Sequence, residues 1–72
     1  MMEVKIKVRF NASKEKFETY GRNMYLLYLP FPEDAESVSI ISGFISRSTG
    51  TPEKRVIFKN KDEMGNWIFV LS

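Results

Sequence analysis

Three cations, Lys5, Lys7 and Arg9, stand at alternate positions of the segment Glu3–Phe10, so an extended backbone holds them in one row. With Lys59 and the ring of Tyr25 they make the pattern by which a sheet face binds a single nucleic-acid strand, cations against phosphates and a ring against a base. The same row reads equally well as a solvated face or as protection of a sheet edge against pairing. Trp67 is the only tryptophan, and at the start of a strand it offers either a stacking surface for a ligand or packing over a sheet edge. Asp62, Glu63 and Asp34 are the carboxylates that could meet a divalent cation. Hard-cation loops need more oxygen ligands at fixed spacing, so no metal is expected.

Catalysis has little to stand on. The chain has no histidine and no cysteine. The commonest general base, the commonest transition-metal ligand, thiol nucleophiles and disulfides are therefore all excluded. There is no phosphate-cradling glycine loop and no carboxylate pair with supporting groups, and the serines have no evident base. A non-enzyme without a cofactor is the expectation. Eleven basic and nine acidic side chains leave a net charge of +2, too balanced to name a partner by itself. No apolar run approaches the roughly 18–20 residues of a membrane span and no signal-peptide pattern opens the chain, so the expected location is cytoplasmic. Seventy-two residues allow one domain, 1–72, and a chain of this size buries only about 60% of its unfolded surface.

The elements that must position these residues follow from hydrophobic period. Val4, Ile6, Val8 and Phe10 alternate with Glu3, Lys5, Lys7 and Arg9, the mark of a half-buried strand. Asn11, Ala12 and Ser13 break it, and the chain from 11 to 23 reads either as one helical turn capped by Ser13 or as a partly extended return. Gly21, Arg22 and Asn23 make a turn before a second strand, Met24–Leu29, expected antiparallel to the first and ended by Pro30 and Pro32. Between Pro30 and Pro52, Val38, Ile41 and Ile45 with Ile40 and Phe44 repeat near 3.6, while Ser39, Ser42 and Ser46 mark another face. That spacing predicts a helix, with Asp34 as N-cap, Arg47 in the last turn and Gly50 in the left-handed position beyond the end. A strand over Val38–Ile45 is the competing reading, weakened because SIISGFIS breaks alternation twice. Its propensity is poor, so the helix must be held by burial against a sheet. A capped turn at Thr51–Lys54 leads to strands Arg55–Lys59 and Trp67–Leu71, separated by a polar loop. The expected fold class is α+β, a two-layer ββαββ domain whose four-stranded mixed sheet carries one main helix on one face.

The segments VKIKVRFNASKEK, PFPEDAES and GTPEKRVIF, in this order around a glycine turn and a helix, resemble the YggU-like family of uncharacterised proteins. The resemblance spans nearly the whole chain and rests on spacing and apolar pattern. It implies a two-layer α+β domain with a mixed four-stranded sheet, and no activity, since the family's biochemical role is not established. The family pattern of glycine-lysine-alanine-asparagine at the helix entry is replaced here by Ala35, Glu36, Ser37 and Val38. Its serine-glycine loop followed by serine, arginine and lysine is replaced by Asn60–Asn66 and Trp67. A site shared through those positions is expected to be lost or rebuilt. With the chain ending at Ser72, the C-terminal helix of longer relatives is not expected.

One face of such a sheet has no helix over it. Taking Val4, Ile6, Val8, Met24, Leu26, Tyr28, Val56, Phe58, Phe69 and Leu71 as helix-facing leaves Tyr25, Leu27, Leu29, Ile57, Ile68 and Val70 on the opposite face. Beside them lie Lys5, Lys7, Arg9 and Lys59. A two-layer domain should carry a polar outer face. The apolar set therefore points to a protein partner or a homodimer, unless the 11–23 segment folds back across it or strand tilt buries it.

Overall fold

The alternating segment at the start of the chain becomes the middle of the sheet. In the computed structural model, which describes residues 2–72, β1 (Met2–Arg9) lies between β3 (Met24–Tyr28), to which it is parallel, and β5 (Trp67–Leu71), to which it is antiparallel. The hairpin partners β2 (Lys16–Gly21) and β4 (Val56–Lys61) form the two edges. The strand order is β2-β3-β1-β5-β4, and one helix, α1 (Ser37–Thr49), packs on one face. The fold is α+β with a five-stranded mixed sheet, one strand more than expected.

The extra strand is β2, and it changes the pairing of its neighbours. Residues 11–23 make neither the helical turn nor a cover for the outer face; Lys16–Gly21 runs in the plane of the sheet and pairs antiparallel with β3. Because β2 carries the chain back first, β3 returns parallel to β1 instead of antiparallel. The parallel ladder continues past the strands, with Leu29 donating from its amide to the Arg9 carbonyl and Ala12 to that of Leu29, at 2.9 Å each. Asn11 and Asn23 take up the left-handed backbone at the two ends of this excursion (φ 58° and 57°), a conformation asparagine tolerates better than most residues.

The helix is where the period placed it, and the strand reading of Val38–Ile45 fails. Its stripe is rotated, however. Ile41 and Ile45 are fully buried with Ser37 and Ser42 beside them, whereas Val38 lies at the exposed border. At about 1.5–3 kcal/mol for each fully buried isoleucine, this contact outweighs the cost of the serines and Gly43 within the helix. Regular helix starts at Ser37 after Glu36, whose own side chain caps nothing. The cap acts one turn earlier: Asp34 Oδ1 accepts from the Glu36 amide at 2.8 Å, and Ser37 Oγ accepts from the Asp34 amide at 3.0 Å. The Ser37 bond is one arm of a capping box, while the Asp34 side chain takes the amide one residue short of the other arm, and the Ser37 amide donates to the Asp34 carbonyl at 3.2 Å. At the far end Gly50 has φ 76° and donates its amide to the Ser46 carbonyl at 2.9 Å, as the glycine in that position predicts.

Val4, Ile6, Leu27, Leu29, Ile41, Ile45 and Phe69 have no exposed surface and form the centre of the core. Aromatic side chains close it at both ends. Phe17 from the edge strand lies between Tyr25 (5.2 Å, interplanar angle 10°) and Phe44 of the helix (5.3 Å). At the other end Trp67 meets Phe10 and Phe58, and Phe58 meets Phe69.

Candidate functional site

Two-residue periodicity fixes which side chains line the open face. Val4 and Ile6 point into the core, so Glu3, Lys5, Lys7 and Arg9 point away from the helix. Through the ladder, Lys5 stands between Met24 and Ile68, Lys7 beside Leu26, and Arg9 beside Tyr28. Glu3 stands beside Val70, which in turn neighbours Ile57. The basic row therefore runs along the centre of the outer face with apolar side chains on both flanks. Along the strand the cations are spaced at about 6.7 Å, twice the rise per residue.

Of the six side chains assigned to this face from sequence, Ile57, Ile68 and Val70 are there and three are not. Leu27 and Leu29 are fully buried against the helix, and Tyr25 is stacked on Phe17 on the same inner side. The residues taken as their helix-facing counterparts, Met24, Leu26 and Tyr28, lie outside and half-buried instead. The parallel register decides this by bringing Leu27 level with Val8 and Tyr25 level with Ile6. No local signal could have found it, because MYLLYL is apolar in both phases and each phase holds one tyrosine. Exposure on the outer face is uneven. Ile57 is 53% exposed at the β4 edge, while Ile68 is buried by its neighbours and only 5% exposed.

The nucleic-acid set is likewise divided. Lys5, Lys7, Arg9 and Lys59 share the outer face, but Tyr25 does not reach it. Lys59, at the bulge between Phe58 and Asn60, is held by Glu3 at 3.0 Å, and Lys16 of the edge strand lies 3.6 Å from Glu18. Both bridges are solvent-exposed and contribute little to stability. Lys5, Lys7 and Arg9 make no ion pair among the described residues.

The remaining candidates have structural partners. Trp67 is 5% exposed and faces the core, with Lys61 Nζ 4.3 Å above its ring and Glu33 bonded to that ammonium at 2.6 Å. Asp34 caps the helix entry. Asp62 closes the β4–β5 turn: one oxygen accepts from the Met64 and Asn66 amides at 2.9 Å each, and the other from Asn66 Nδ2 at 3.1 Å. No group of three or more metal-ligating side chains occurs among the described residues, which also form no pocket. Of the small-residue stripe on the helix, Ser42 is buried and Gly43 lies against Glu53.

The bonds from Asn66, with smaller help from the Met64 amide and the charge of Lys5, hold the Asp62 carboxyl below its ordinary value of 3.8. A depressed carboxylate stabilises the fold above its unfolded value and loses that contribution as pH falls through the folded one. Asp62→Asn is accordingly expected to lower the urea midpoint at neutral pH. The gap from the unsubstituted protein should close in acid below pH 3.8. A gap that stayed constant from pH 7 to 2.5 would show the charge to be irrelevant to the turn.

Comparison with known proteins adds no assignment to this geometry: no family model, no curated protein and no solved structure matches the chain. No helix among the described residues is long and apolar enough to cross a membrane.

Proposed function

We propose that this domain is a non-catalytic binding module that meets a macromolecular partner through the outer face of its sheet. One observation carries the reading. The side of the sheet opposite α1 bears an unpaired basic row flanked by Met24, Leu26 and Tyr28 on one side and Ile57, Ile68 and Val70 on the other. An antiparallel or mixed sheet that only faces water carries polar side chains there, and grouped apolar surface on a small domain marks an interaction site. A cytoplasmic setting accords with a chain free of cysteine. Descent from the YggU-like family is part of the same proposal, supported by the sequence segments that resemble it and by one helix set between two groups of strands.

Photo-cross-linking in the cells that contain the protein tests the surface. A benzophenone side chain in place of Leu26 or Ile57 is expected to give a discrete cross-linked band, and the same group at Val38, exposed on the helix side, is expected to give none. Equal labelling from both faces, or labelling from Val38 alone, would refute the outer face as the binding surface.

A single nucleic-acid strand is the second reading, favoured by one contact pattern. The ring of Tyr28 stands level with Arg9 on one side and Lys16 on the other, an aromatic group between two cations.

A further inference from the structure

We infer that the partner of the outer face is an acidic amphipathic helix from another protein, laid along β1 as a third layer; this inference rests on the binding-module reading above. Three properties of the face select that chemistry. Charge comes first. The outer-face cations Lys16 and Lys59 are matched by Glu18 and Glu3, whereas no carboxylate among the described residues lies within 4.0 Å of the central row of Lys5, Lys7 and Arg9, Asp62 reaching Lys5 only through space. A complementary surface must bring anions to the middle of the contact, where shielding from water makes charge matching most selective.

The second property is spacing. Carboxylates at positions i, i+4 and i+8 of a helix rise by about 6 Å per step, close to the roughly 6.7 Å between successive cations of β1. A helix lying along the strand can therefore present one acid to each cation in turn. The third is the flanks. Met24 and Leu26 on one side, with Val70 and the exposed Ile57 beyond it on the other, suit the leucines that border an acidic row on such a helix.

The same features argue against the other occupants. Base stacking needs open rings beside the cations, and Tyr28, the ring level with the basic row, is half-buried, while Tyr25 and the phenylalanines of the core cluster pack on the inner side. A second copy of the chain, stacked face to face, would set three unpaired cations against three more, a repulsive arrangement.

The test is a titration of the isotopically labelled domain, followed by amide chemical shifts. The probes are a helical peptide with glutamate at i, i+4 and i+8 between leucines, its glutamine counterpart, and oligo(dT). The acidic peptide is expected to shift outer-face amides of β1, β3 and β5, with the glutamine peptide and the K7E/R9E variant each binding about tenfold or more weaker. Thermal melts of the variant confirm that it folds. Equal affinity for the two peptides, or tighter binding of oligo(dT), would overturn the acidic helix. A concentration-dependent dimer in sedimentation that protects this face would replace it with a second copy. If no probe moves these amides while cross-linking from Leu26 succeeds, the partner class is wrong and the surface stands. Failure of both removes the surface as well.

Discussion

Leu27→Ala is expected to destabilise the domain by about 2–5 kcal/mol, and Leu26→Ala, one residue away, by about 1 kcal/mol or less. The two side chains are chemically identical and adjacent on β3, and only the register of the parallel ladder separates them. Leu27 is level with Val8 and has no exposed surface, in contact with the cluster that contains Ile41 and Ile45. Truncating it leaves a cavity between sheet and helix that the flanking strands cannot collapse to fill. Leu26 is level with Lys7 on the open side, half-buried, where solvent and the lysine stem can move into the vacated space. A chain of 72 residues has about 4–11 kcal/mol in total at the usual per-residue stability, so the larger loss leaves Leu27→Ala close to unfolding. At roughly 4–8 °C per kcal/mol the difference in Tm is easily resolved by circular dichroism. Equal losses at the two positions would mean that β3 is not seated as described and that the open face has different members.

What could and could not be read from the residues has a common cause. β1 was legible because its two faces differ in chemistry, with Val4, Ile6 and Val8 against Lys5, Lys7 and Arg9. The helix was legible through Ile41, Ile45 and Gly50, although its exact rotation was not. Ser37 and Ser42 are buried while Val38 is exposed, because small side chains allow the helix to come close to its neighbours. β3 carries apolar residues on both faces, so its pattern holds no information on sidedness, and the tertiary pairing supplied it. β2 was legible only as one of two readings, an extended return beside a helical turn, for the opposite reason. KFETYG has one substantial apolar anchor, Phe17, and its strand state comes from pairing with β3 and from packing of that ring against Phe44. The candidate face inherited these errors. Its basic row and its β4–β5 flank were readable locally, and its β3 flank depended on a non-local register.

These facts make the open face a consequence of topology. The connection from β3 to β4 carries the only α-helix of the described residues to one side of the sheet, and the strand order leaves the other side without a layer. A central strand in such a sheet needs polar outward groups for solubility, which the cations of β1 supply. The aliphatic groups on either side have no such role. They cover one another only in part, and a third layer from another molecule would complete their burial.

Trp67→Ala is expected to cost about 3–5 kcal/mol, with Trp67→Phe appreciably milder. The position of the sole tryptophan allows two readings, a ring held out for a ligand or packing at the sheet, and its environment is that of a core residue. It is level with Ile6, is 5% exposed, and has Phe58 at 5.4 Å and Phe10 at 6.1 Å between ring centres. Its remaining face lies under the Lys61 ammonium, which Glu33 holds from the loop before the helix. Removing the ring therefore opens the end of the core and deprives that cation of its aromatic seat. Lys61→Ala separates the two effects and should lose no more than about 1 kcal/mol, since the ammonium is partly exposed. Fluorescence supplies an independent readout. Emission from the native protein should be blue-shifted and weakly quenched by iodide, moving to the red as the domain unfolds in urea. Strong quenching of the native protein, or a Trp67→Ala variant as stable as the original, would return the ring to the surface and reopen it as a stacking platform.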